Sequence, residues 1–177
     1  MPGERSTPTQ EQEQRLSPWG IAGRVIFTFG LIATVCFIFS NSMKVAEVSS
    51  AASGQVLELI RSVLIRLGHP GLAQRITMHF VRKLAHFCEY ALEGFWLMLC
   101  LRVYTRRFVR HVSWPLLAGL LTALADETIQ MFSSGRSSQV TDVWLDFIGI
   151  LCGLLAGLLV LAVFQGCTRH AGDRNED

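Results

Sequence analysis

Residues 143–164, VWLDFIGILCGLLAGLLVLAVF, form an apolar run with Asp146 as its one charged side chain. As a helix rising about 1.5 Å per residue, a run of this length crosses the roughly 30 Å of a bilayer's hydrocarbon. Three more blocks share the property: residues 20–39, 79–101 and 114–132. In the first of these only Arg24 intrudes, close enough to the block's start for its long side chain to snorkel to the interface. The expected fold is therefore all-α, a polytopic membrane bundle with four transmembrane helices.

Composition agrees and removes other classes. Half of the 177 residues are hydrophobic and 17% are charged, a balance foreign to disordered chains and unusual for a soluble domain. Sixteen Lys and Arg are scattered among fourteen acids for a net charge of +2, so no basic face exists to make nucleic acid a partner. Cys36, Cys88, Cys100, Cys152 and Cys167 are odd in number and lack CxxC spacing. They read as small apolar packing residues, not as a disulfide framework or a zinc ribbon.

Charge position sets an expected orientation. Arg102, Arg106, Arg107 and Arg110 lie between the second and third blocks, which makes that loop cytoplasmic by the positive-inside tendency. With four crossings both termini are then cytoplasmic, in agreement with Arg5, Arg15, Arg169 and Arg174, although Lys44, Arg61, Arg66 and Arg75 in the first loop pull the other way. That loop, residues 40–78, carries Val56, Leu57, Ile60, Val63, Leu64 and Leu67 at helical spacing opposite Gln55, Glu58, Ser62 and Arg66. An amphipathic helix, lying on the outer leaflet or capping the bundle, is predicted there and is ended by Gly68, Pro70 and Gly71.

Three of the blocks carry charge where lipid would be. At about 100° per residue Arg82, His86, Glu89 and Glu93 fall on one stripe of the second block. Asp126 and Gln130 share a face of the third with Glu127 beside it, and Asp142 and Asp146 open the fourth, in line with Gly149 and Gly153. Ionisable groups in a bilayer are expensive, by at least a few kcal/mol each, so they face inward, pair, or meet water. One outward-opening polar cavity accommodates all three stripes. A set of ion pairs fixing helix register is the plainer alternative, but His86 and the inward acids Glu89, Asp126, Glu127, Asp142 and Asp146 exceed what register requires. Gly149, Gly153 and Gly157 read as a small-residue packing face, and Trp96, Trp114 and Trp144 as interface or packing aromatics.

The segments RKLAHFCEY (82–90), DETIQMFSSGR (126–136) and DVWLDFIGILCG (142–153), in this order, resemble the VanZ-like family of small bacterial membrane proteins. The resemblance covers about residues 36–160 and includes the Ser-rich stretch FSNSMKVAEVSSAASG after the first block. It implies a VanZ-like transmembrane domain, expected over residues 20–165 in the bacterial cell membrane. Residues 1–19, with Pro2, Pro8, Pro18 and several Glu and Gln, read as a flexible tail, and by the charge-based orientation this tail and the C-terminal tail, 166–177, are cytoplasmic. Two positions depart from the family pattern. Asp146 stands where Asn is frequent, and Glu93 where the family is usually apolar. Founding members of the family lower sensitivity to teicoplanin, a glycopeptide with a lipid tail.

Two mechanisms suit these residues. In the first the polar cavity binds a headgroup or lipoglycopeptide near the outer leaflet through Arg82, Lys83, Tyr90, Gln130, Arg136, Asp142 and Asp146, and the amphipathic helix gives an apolar wall for an acyl tail. Its partners would be membrane lipids and a lipid-linked envelope precursor or lipoglycopeptide. In the second the protein is a membrane-embedded enzyme acting on such a substrate. His86 is then the general acid or base, oriented by Glu89 or Asp126, with Glu127 as a further catalytic candidate. Arg82, Lys83 and Arg136 would neutralise an anionic group, and Asp142, Asp146 and Glu127 could hold a divalent cation. No GxSxG, HExxH or Gly-rich phosphate loop names a reaction or a cofactor.

Overall fold

A computed structural model of the chain describes residues 18–44, 46–105, 108–133 and 140–173. Among the described residues all regular structure is helical: α1 (Pro18–Ser42), α2 (Ala46–Arg66), α3 (Pro70–Arg75), α4 (Met78–Tyr104), α5 (Phe108–His111), α6 (Ser113–Phe132) and α7 (Val140–Asp173). Three stretches, Gly20–Ser42, Met78–Tyr104 and Val140–Phe164, are long and apolar enough to cross a membrane. The third expected block, α6, has 20 residues, but Asp126, Glu127 and Gln130 leave it short of that apolarity. The α7 backbone continues past its apolar block to Asp173, into the expected C-terminal tail, and residues 1–17 of the expected N-terminal tail lie outside the described residues.

α4 is the centre of the bundle, and its largest interface is with α7. The two helices run parallel: Gly149 sits against Phe87 and Tyr90, Gly153 against Ala91, and Gly157 against Met98. A Cβ at Gly153 would land on the carbonyl of Ala91, and one at Gly94 on the carbonyl of Ile150. Only glycine allows the backbones to approach this closely, the small-residue packing common between membrane helices. α1 runs antiparallel to α4, with Arg24 Nε donating to the Val103 carbonyl at 3.3 Å near one end, Gly30 under the Trp96 ring midway, and Asn41 on Glu89 near the other. α6 runs antiparallel to α7, since Gly119 receives Ile150 while Glu127 and Gln130 share a cleft with Leu145 and Asp146. Ser133 Oγ donates to the Ser42 carbonyl at 2.9 Å and ties the end of α6 to the end of α1.

The distribution of polarity is inverted relative to a soluble bundle. Asp126 is 0% exposed, Asp146 1% and Glu93 1%, while Phe29 is 72% and Phe132 86% exposed. Ile38, Tyr90, Leu97, Met98, Ala123, Ile150 and Leu154 form an apolar core around which these acids are buried. Trp96 packs on Gly30, whereas Trp114 and Trp144 point outward. The cysteines differ from the packing role expected of them. Cys100 is buried, but Cys36, Cys88 and Cys152 are exposed free thiols.

The amphipathic segment is helical, as α2, and its docked face is narrower than its apolar stripe. Leu57 is buried and Ile60 and Leu64 are half-buried, while Val56, Val63 and Leu67 are exposed. Arg61 fastens the helix by donating through Nη2 to the Ile76 carbonyl at 2.9 Å. Beyond Arg66 the chain turns through Gly68, whose φ of +83° suits glycine. Pro70 then starts α3 at a position where the missing N–H is not needed. Thr77 caps α4, its hydroxyl accepting from the Phe80 amide at 3.2 Å.

Candidate functional site

The stripe of α4 divides two polar regions that share His86. On the inner side α4, α6 and α7 meet. Here His86, Asp126 and Asp146 each present one nitrogen or oxygen, all within 4.8 Å of one another. Glycine contacts between α4 and α7 set this meeting, because Gly149 against Phe87 leaves Asp146, one turn earlier, level with His86. Gln130, one turn after Asp126 on α6, donates through Nε2 to Asp126 Oδ2 at 2.9 Å and to Ser42 Oγ at 3.3 Å. Both oxygens of Asp146 and Oδ1 of Asp126 are buried with no hydrogen-bond partner. A narrow cleft of about 20 Å³ opens beside them, lined by His79, Arg82, Lys83, His86, Glu127, Gln130, Asp142, Leu145 and Asp146. Lys83 Nζ lies 3.0 Å from Asp142 Oδ1 at the half-exposed mouth.

On the outer side α1, α2 and α4 enclose a cavity of about 540 Å³. Phe37, Val56, Ile60, Val81 and Leu84 give it an apolar wall, and Asn41, Lys44, Arg82, His86 and Glu89 a polar one. Asn41 organises the polar side: its Nδ2 donates to Glu89 Oε1 at 2.8 Å, and its Oδ1 accepts from Lys44 Nζ at 2.7 Å. Volumes of a few hundred Å³ with a mainly apolar lining and a few convergent polar groups are typical of small-molecule sites.

Of the residues singled out in the sequence, His86, Asp126, Asp146, Glu127 and Gln130 come together in the inner region with Tyr90 buried beside Asp126. Lys83 and Asp142 pair at its mouth. Arg82 lines both regions, and Glu89 lines the outer cavity. Arg136 lies outside the described residues. Glu93 is enclosed by the bundle beside Thr122 of α6 and does not reach the interface. Asn41, Ser42 and Lys44 were not among the site residues expected from the sequence, where Lys44 entered only as a loop cation. Their signal is their place, directly after the first apolar block and at the same end of the bundle as Arg82 and Gln130.

A helical bundle that buries carboxylates, exposes phenylalanines and carries three helices able to cross a membrane is a membrane protein. The model of the VanZ/LLP1 family matches residues 27–162, well over half of the chain, and the protein belongs to that family. No curated protein and no solved structure matches the chain at a significant level.

Proposed function

We propose that the protein lowers bacterial sensitivity to lipid-tailed glycopeptides of the teicoplanin type, by holding an amphiphile in the cavity between α1, α2 and α4. The supporting observation is the two-sided wall of that cavity: an acyl chain fits against Phe37, Val56, Ile60 and Leu84, and an anionic headgroup against Lys44 and Arg82. In this reading the chain crosses the membrane four times, because parallel α4 and α7 require a return crossing and α6 is the helix between them. Exposed Arg102 and Arg110 at the far end of α4 favour a cytoplasmic position for that end, so both termini are cytoplasmic and the cavity faces the outer leaflet. The occupant is a lipid-linked envelope precursor or the lipoglycopeptide itself.

The test is direct binding. Protein in lipid nanodiscs retains teicoplanin, and a glycopeptide without the acyl tail binds at least tenfold more weakly. Equal binding of the two, or none, removes the reading. For orientation, a single reporter cysteine at Thr105 reacts with an impermeant maleimide only after cells are permeabilised; reaction on intact cells turns the cavity to the cytoplasm.

A catalytic reading draws on a separate observation, the convergence of His86, Asp126 and Asp146. In it the same site modifies a lipid-linked or envelope substrate by acid–base or metal chemistry, with Glu89 and Glu127 as accessory carboxylates. Mass spectrometry of lipids and antibiotic from expressing cells then finds an altered species that disappears in His86→Ala. Retention of unaltered ligand by purified protein leaves binding alone.

A further inference from the structure

We infer that His86, Asp126 and Asp146 form a binding site for one divalent transition-metal ion of the Zn²⁺ class. The three residues come from three different helices, α4, α6 and α7, and their donor atoms lie within 4.8 Å of one another. Zn²⁺ bonds of about 2.0–2.2 Å place the ligands of a tetrahedral ion about 3.4 Å apart, so the set closes around an ion by side-chain movements of about 1.4 Å or less.

The carboxylate of Asp146 is the observation that asks for a ligand. It is 1% exposed, and neither oxygen has a hydrogen-bond partner. Asp126 Oδ1, in the same cluster, is buried and unpartnered as well. A buried ionised carboxylate is strongly unfavourable unless it is paired or coordinates a metal, and two acids side by side multiply the penalty. The cations nearby do not answer it. Lys83 is engaged with Asp142 at the mouth, and Arg82, which lines the cleft, gives Asp146 no hydrogen bond.

Ligand chemistry selects the ion. Imidazole nitrogen favours Zn²⁺ and its first-row neighbours, whereas Ca²⁺ and Mg²⁺ take oxygen ligands in greater number. Neutral His86 with two carboxylates cancels the charge of a divalent cation, which suits a site enclosed by apolar helices. Gln130, donating to Asp126 Oδ2, leaves Oδ1 for the metal, the kind of outer contact that fixes a ligand's orientation. Three protein ligands leave one position open to water or a phosphate oxygen, and the 20 Å³ cleft beside the cluster has room for about one water. Metal binding is measurable with neither envelope precursor nor antibiotic present, so its outcome is separate from that of the proposed function.

The test uses full-length, tag-free protein in nanodiscs, stripped with chelator and titrated with Zn²⁺ alone. The wild type takes up about one equivalent that survives buffer exchange. Asp146→Asn and Asp126→Asn, checked for unchanged helicity and a single size-exclusion peak, bind at least tenfold more weakly, and Glu58→Gln, which alters an exposed acid of α2 away from the cluster, binds as the wild type does. No uptake by the wild type overturns the site, and so does full uptake by Asp146→Asn. Equal loss in Glu58→Gln overturns the ligand set. If the asparagine variants do not fold, Cu²⁺-loaded wild type decides by pulsed EPR. One coordinated histidine nitrogen is expected, and its absence refutes the assignment.

Discussion

The inner cluster and the outer cavity lie on two sides of the same α4 stripe, yet they solve the problem of polarity in a membrane differently. Inside, Asp126 and Asp146 are sealed by helix packing and leave carboxylate oxygens unpartnered. Outside, Asn41, Lys44 and Glu89 satisfy one another at 2.7–2.8 Å beside an apolar wall. The sealed region concentrates unspent electrostatic demand on a small volume. The open one offers a preformed, internally satisfied surface that a larger amphiphile can enter. Such a difference suits an ion in the first and an organic molecule in the second.

The comparison breaks most completely if the helices that support both regions part. Gly153→Leu forces a side chain onto the Ala91 carbonyl, and overpacking of this kind costs about 3 kcal/mol or more when backbone must move. Folded protein recovered from membranes should fall several-fold, measured by fluorescence-detected size exclusion. A smaller and local loss is expected from Gln130→Ala, which removes the donor to Asp126. Stripping a buried acceptor of its partner costs about 1–3 kcal/mol, visible as a lower Tm in detergent with the outer cavity still binding ligand.

Ala52→Trp sharpens the comparison from the other side, since Ala52 lines the outer cavity on an exposed face of α2. Teicoplanin affinity should drop about tenfold, or about 1.4 kcal/mol, while Zn²⁺ uptake and Tm stay unchanged. The smallest effect belongs to Lys83→Met. Its ion pair with Asp142 has side chains 36% and 26% exposed, and pairs this wet contribute about 0–1 kcal/mol. A Tm shift above a few degrees would mean that Lys83 serves the sealed cluster and not only its mouth.

Much of this arrangement was legible in the chain. The runs at 20–39, 79–101 and 143–164 correspond to α1, α4 and α7 because hydrophobic length alone dictates a spanning helix. α6 was harder, since the residues that take it into the site, Asp126, Glu127 and Gln130, are those that dilute its apolar signal. The wheel placed Arg82, His86 and Glu89 on one stripe, as observed, but a stripe carries no information about partners. Whether Lys83 meets Asp142 or Asp126 depends on the depth at which α7 docks, and that is set by contacts of Gly94, Gly149 and Gly153 with backbone far away in sequence. Periodicity likewise gave α2 an apolar side without saying how much of it would dock, so Val63 and Leu67 remain exposed. Asn41 and Ser42 looked like the start of a loop; their role became visible only when the end of α6 was found beside them.

The parallel seam between α4 and α7 also sets a timetable for biogenesis. Asp146 emerges from the ribosome about sixty residues after His86, which at about 5–20 residues per second is a delay of roughly 3–12 s. During that interval Arg82, His86, Glu89 and Glu93 have no α7 to turn toward, and a stripe of ionisable groups facing lipid is unfavourable. Nascent α4 therefore lacks its principal packing partner until α7 arrives. α7 is the keystone of assembly, and a chain that stalls before it leaves a charged helix without its main partner.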